Sequence, residues 1–200
     1  MTRDAFIVVL FLTLGVLRAA EAPFAEVPRS IAPSGLLAAR TEPPNEALDG
    51  RDSICFYRPK SGEVFARIPL GGYASYPLDA DPMNLTLLWS PNSRHLAITV
   101  RGSKRSWTMT IYAFRAKGLR ALDLPSATAK ALRLLSGSEN FRVSHETPTK
   151  WIDDDRLLLR ASGDTTIQKK VIWYEVDLTY SISKRVITRA KIIGTQPREG

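Results

Sequence analysis

Beyond residue 50, apolar and polar positions alternate with a period close to two, and Pro, Gly, Asn, Asp and Ser interrupt the alternation every few residues. That pattern predicts short antiparallel strands joined by turns. Ser53 to Arg58 reads as a strand, Pro59-Lys60-Ser61-Gly62 as a turn and Glu63 to Ile68 as the returning strand. A second set follows as Leu85 to Trp89, Arg94 to Val100, Trp107 to Arg115 and Leu119 to Leu124, with Arg101 to Arg105 turning the chain between its second and third strands. In Arg94 to Val100, Leu96, Ile98 and Val100 share one face, and His95, Ala97 and Thr99 the other. Helix-forming residues then replace the alternation: Ser126 suits an N-cap, Ala127 to Leu135 a helix, and Gly137 the position just past its end. After a loop through Phe141, Ser144 and Pro148, strands resume as Thr149 to Trp151 and Arg156 to Ala161. Ser162-Gly163-Asp164 reads as a break, followed by Gln168 to Leu178 and Ser183 to Ile193.

The second and third sets can be superposed. Trp89 precedes Arg94 by five positions and Leu96 by seven, as Trp151 precedes Arg156 and Leu158; Tyr112 and Tyr174 each follow their Trp by 23. This predicts a duplicated four-stranded antiparallel meander and makes Trp89, Arg94, Leu96, Tyr112, Trp151, Arg156, Leu158 and Tyr174 framework positions. Trp89-Ser90-Pro91-Asn92-Ser93-Arg94-His95-Leu96-Ala97-Ile98-Thr99, followed by Ile111-Tyr112-Ala113-Phe114 and a Lys-Gly turn, resembles blades of TolB-type and WD-repeat β-propellers. The resemblance covers residues 85–124 well, 149–190 loosely, and 53–70 only as the final hairpin of a preceding blade. It implies a mainly β fold of antiparallel four-stranded meanders with one short inserted helix, and a motif that serves packing, not chemistry. The interval of 62 residues between the two Trp exceeds a blade of about 40 to 50, and the helical insertion accounts for the excess. Two and a half blades do not close a ring, so open sheet edges call for a cap, by the helix or the N-terminal segment, or for a second copy.

The ends of the chain read differently. Ala5 to Leu17 is an uninterrupted apolar run behind Arg3, too short to span a membrane and suited to a secretory signal peptide. Residues 1–22 are accordingly a signal peptide or, if uncleaved, an N-terminal anchor. Pro23, Pro28, Pro33, Pro43 and Pro44 mark 23–50 as an extended linker. The β-repeat domain then occupies 51–195 and a disordered tail 196–200. The chain carries 28 Lys and Arg against 20 Asp and Glu, a net charge of +8. Residues 1–22 hold two of each sign, so the basicity belongs to residues 23–200 and favours an anionic neighbour.

Few residues point to chemistry. Ser144-His145-Glu146 places a hydroxyl, an imidazole and a carboxylate in succession, but neighbours on a strand face opposite ways. Two His and one Cys leave a zinc site short of ligands, and Asp153-Asp154-Asp155 reads as a solvated turn before a cation site. Cys55, the sole cysteine, lies in the apolar run Ile54-Cys55-Phe56-Tyr57 and reads as a small buried residue. No phosphate loop, dinucleotide fingerprint or cofactor motif is present. The turns between second and third strands, in contrast, gather Arg101, Lys104 and Arg105 in one set and Lys169 and Lys170 in the other. Trp107 stands at the base of the first turn. The expectation is a non-catalytic module, secreted or periplasmic, that binds a protein or an anionic polymer through this basic rim. An envelope scaffold held by an uncleaved N-terminal segment is the alternative. A hydrolase whose site assembles only in three dimensions is the third reading.

Overall fold

The computed structural model describes residues 25–27, 30–45, 51–70, 85–103, 106–116, 118–125, 134 and 138–197. Among them all regular elements are strands, grouped as three antiparallel four-stranded meanders. The first contains β1 (Ala25–Glu26), β2 (Ala38–Asn45), β3 (Arg51–Tyr57) and β4 (Val64–Pro69). The second contains β5 (Leu85–Trp89), β6 (His95–Ser103), β7 (Ser106–Arg115) and β8 (Gly118–Ala121). The third contains β9 (Ser138–Trp151), β10 (Arg156–Ile167), β11 (Lys170–Ser181) and β12 (Val186–Pro197). The second and third share one eight-stranded sheet, joined where β7 and β9 run parallel at Trp107 and His145. The apolar run within 1–22, and the expected helix apart from Leu134, lie outside the described residues.

The alternation of β6 explains how the units associate. Leu96 and Ile98 pack with Leu85, Leu87 and Trp89 against Ile54 and Phe56 of the first unit. The Trp89 ring meets Phe56 edge-on at 6.2 Å and lies 4.8 Å from Phe114. On its other side, Ala97 joins Ile111 against Leu157, Leu159, Ala161 and Val176 of the third unit. The middle unit is therefore covered on both faces. Burial of each large side chain contributes roughly 1.5–3 kcal/mol.

Each end face carries ion pairs. In the first unit Arg40, Cys55 and Arg67 sit opposite one another. Glu42 bonds Arg40 at 3.1 Å and Arg67 at 2.7 Å there. In the third, Arg160 pairs with Asp177 at 3.1 Å, and Lys191 lies across from Asp177.

Several expectations are corrected. Residues 23–50 are not a linker throughout: Val27, Ala32, Ala38 and Ala39 are buried, and β2 pairs with β3. Pro43 and Pro44 are accommodated because the register shifts between Glu42 and Asn45. The loop expected through Phe141 and Pro148 is β9, whose three register shifts against β10 absorb its irregular residues, Pro148 among them. Ser162-Gly163-Asp164 does not break β10. A Cβ on Gly163 would lie 1.8 Å from the Arg142 carbonyl oxygen, so the glycine admits the neighbouring backbone. At the C-terminal end, β12 runs to Pro197, into the expected tail.

The repeat itself is real but shifted. Trp89 pairs with Leu96, whereas Trp151 pairs with Leu157, which is fully buried; Leu158 points to the opposite face. Across the next strand Leu96 faces Tyr112, and Leu157 faces Tyr180. Leu157 and Tyr180, not Leu158 and Tyr174, are thus the counterparts of Leu96 and Tyr112. The turn after Trp151 is one residue shorter and the β10–β11 hairpin longer, so the shared 23-residue spacing is coincidental.

Candidate functional site

The turns at the Trp motifs bind the units together along one edge. In the second unit the Ser90 hydroxyl accepts the His95 N–H at 2.9 Å, and Asn92 Oδ1 accepts the Arg94 N–H at 2.9 Å. Ser93 takes a positive φ of 59°, and its Oγ accepts the Ser34 N–H at 2.9 Å from the first unit. On the third-unit side, Asp154 Oδ1 accepts the Asn92 N–H at 2.9 Å, and Trp151 Nε1–H donates to the Leu88 carbonyl at 2.9 Å.

The acidic triplet is fully engaged in this edge. Asp153 Oδ1 takes the N–H groups of Asp155 and Arg156, at 2.9 and 2.7 Å, where one unit earlier Asn92 Oδ1 takes the Arg94 N–H and the Ser90 hydroxyl. The Arg156 side chain comes first in holding the Asp153 carboxyl below the usual carboxylate range. Burial works against ionisation of Asp155, but hydrogen bonds from the Ser181 hydroxyl and from Ser183 outweigh it and lower its pKa. His95, half-buried, stacks on Trp151 at 5.9 Å, and burial lowers its pKa although Asp154 and Asp155 act the other way.

In a meander, the turns between second and third strands leave by the opposite edge. Arg101, near the end of β6, lies across from Trp107 on β7, with its guanidinium 5.1 Å from the indole centroid, a cation–π contact. Trp107 in turn stacks on His145 at 4.3 Å and 29°, and His145 meets Trp173 of β11 edge-on at 5.9 Å. Burial pushes the His145 imidazole below its ordinary pKa, and its Nδ1 is buried without a partner among the described residues. The imidazole thus lies between two indoles. Glu146, next along β9, lines a cleft on the other side of the sheet, so Ser144, His145 and Glu146 do not converge on a nucleophile.

Lys169 and Lys170 leave by the same edge but are not beside Trp107. His145 pairs with Ser162, five residues short of Ile167, which pairs with Lys170. At about 3.3 Å per residue the hairpin tip stands roughly 16 Å beyond His145 but only about 10 Å beyond Trp173, which pairs with Asp164. Gln168 and Lys169 both take positive φ, 50° and 66°, as a two-residue type I′ hairpin turn requires. Both lysines are exposed. Lys104 and Arg105 lie outside the described residues. Two members of the cluster, His145 and Trp173, escape the sequence reading. The Trp173-Tyr174 pair carried the signal, because adjacent strand residues face opposite ways and one of two large aromatics must leave the core.

Stacked antiparallel meanders held by interlocked turns along one edge, with a cationic and aromatic opposite edge, define a mainly β module. No protein-family model matches the chain, and no curated protein sequence does. Among solved structures it is similar to Pyrococcus horikoshii acylaminoacyl peptidase, with TM-score 0.40 and 9% identity over 81% of this chain. It is also similar to the WD40 domain of SCAP from fission yeast, with TM-score 0.32 and 10% identity over 88% of this chain. It spans 23% and 31% of those two chains, respectively.

Proposed function

We propose that this chain is a non-catalytic β-module, exported by its N-terminal apolar segment, that binds an anionic polymer through the edge bearing Arg101, Trp107 and the Lys169-Lys170 tip. The observation that carries the reading is the cluster of Arg101, Trp107, His145 and Trp173, a cation on a bank of ring faces, on the edge from which the lysine hairpin projects. A separation of roughly 10–16 Å between the rings and the tip suits an extended ligand over a compact one. Ring faces accept flat or sugar-like groups while the cations neutralise charge. The Gln168-Lys169 turn supports it further. Left-handed backbone at a non-glycine costs about 1–2 kcal/mol per residue, and a functional side chain is a reason to retain it.

Intrinsic tryptophan fluorescence during titration with heparin tests the reading. Saturable quenching should weaken steeply with added salt, and Lys169→Gln with Lys170→Gln should reduce the log-affinity slope against log salt by about two. Unlabelled dextran should not compete. Quenching indifferent to salt, or unchanged in the double variant, refutes it. Preferential binding of an oligonucleotide or an acidic protein over heparin would reassign the polymer.

A further inference from the structure

The second and third units also enclose a cleft of about 190 Å3 whose chemistry is the reverse of the rim. Glu146, Asp123, Thr110 and the Tyr180 hydroxyl give it a mainly polar lining, beside which Met109, Leu122 and Leu124 supply apolar side chains. Glu146 sits opposite Ala161 on β10, beside the fully buried core, and no hydrogen bond or ion pair reaches its carboxyl among the described residues. The two nearby phenols do not serve it. Tyr174 Oη–H donates to the Arg142 carbonyl at 3.2 Å, and Tyr180 Oη–H donates to the Pro125 carbonyl. Burial alone pushes the Glu146 carboxyl above its ordinary pKa. An uncompensated carboxylate in a half-enclosed site against the core is costly to keep, and a cation from outside removes the cost. In a chain of net charge +8, two carboxyls lining one small cleft give it a local sign opposite to that of the whole.

We infer that this cleft is a binding site for a small primary ammonium ion carrying a short apolar chain. Glu146 is the counter-ion, Asp123 a second acidic contact, and the Met109, Leu122 and Leu124 side chains receive the hydrocarbon. The size admits a ligand of a few carbon atoms and excludes a large heterocycle.

The test uses n-butylamine as probe, with the full chain carrying a 13C-labelled Met109 methyl group as reporter. A saturable shift of the Met109 resonance is expected with n-butylamine near neutral pH. n-Butanol should bind at least tenfold more weakly, and butyrate should give no saturable shift. Glu146→Gln should lower affinity for the amine about tenfold and leave that for the alcohol unchanged. Equal binding of amine and alcohol, or an unaffected Glu146→Gln, overturns the inference. Should Glu146→Gln fail to fold, the amine-to-alcohol ratio in the unmodified chain and in Asp123→Asn decides: a ratio near one in the unmodified chain overturns it, and a ratio of ten or more that falls in Asp123→Asn sustains it.

Discussion

Replacing Gly163 by Ala probes how tightly β9 is laid on β10. The backbone of Gly163 does not take a positive φ, so conformational freedom is not what the position requires. What it requires is space. An added Cβ would stand 1.8 Å from the Arg142 carbonyl oxygen, 2.8 Å from its carbon and 2.8 Å from the Tyr174 hydroxyl, so β9 must retreat by more than 1 Å. Retreat disturbs the pairing of Gly163 with Val143 and of Asp164 with Arg142, and draws the Arg142 carbonyl away from the Tyr174 Oη–H that donates to it at 3.2 Å. Tyr174 is fully buried, so a hydroxyl left without its acceptor costs about 1–3 kcal/mol. Overpacking of the strands adds about 1–3 kcal/mol. The expected loss is about 3 kcal/mol, or about 6–12 °C in Tm for a domain of this size. Circular dichroism melts and urea titrations measure it. Gly194→Ala serves as control, since nothing lies within 4 Å of its added Cβ, and should change stability by less than about 0.5 kcal/mol. Tyr174→Phe isolates the hydrogen bond and should lose about 1 kcal/mol. A Gly163→Ala protein as stable as the control would refute the close approach of the strands.

Two further outcomes rest on the same geometry. Lys169→Gly relieves a left-handed residue with φ of 66° and should gain about 1 kcal/mol while weakening heparin binding; a gain in stability with affinity intact would detach the strained turn from function. Burial, reinforced by Glu42, pushes the Cys55 thiol up to about 11, so its thiolate is scarce at pH 8 and grows only as the pH rises towards that value. Iodoacetamide at pH 8 should label Cys55 in urea but not in the folded protein, and rapid native labelling detected by mass spectrometry would contradict the buried setting.

The strands that alternate cleanly were legible to the residue or nearly so: Leu85 to Trp89 is β5 as expected, and Trp107 to Arg115 lies within β7. What failed were residues whose usual local meaning was overridden by pairing. Pro148 and Gly163 look like breakers, yet each sits at or beside a shift in the β9–β10 register, where an extra residue removes the conflict. Pro43 and Pro44 masked β2 in the same way. The Trp to Tyr spacing misled because a one-residue contraction of the turn and a longer β10–β11 hairpin leave no trace in composition. At the rim, the cations Arg101, Lys169 and Lys170 and the base of the turn at Trp107 were legible, since charge and turn residues are local properties. The bank of rings was not, because His145, which Trp173 meets edge-on, reaches Trp107 only through the parallel contact of β7 with β9.

The ion pairs of the end faces bear on association as much as on folding. A further unit stacked on the third would bury Arg160 and Asp177, and one stacked on the first would bury Arg40, Glu42 and Arg67. Desolvating such charges costs several kcal/mol per ion unless new partners are supplied, which weighs against stacking at those positions. Strand edges are further places for self-association, and β12, with one strand neighbour among the described residues, carries exposed Arg189 and Lys191. Like charges there oppose pairing with a second copy. The same charges attract an anion. The proposed rim rests on this geometry: ion pairs lie at both ends of the stack, interlocked turns hold one edge, and the other edge carries Arg101 and the Lys169-Lys170 tip.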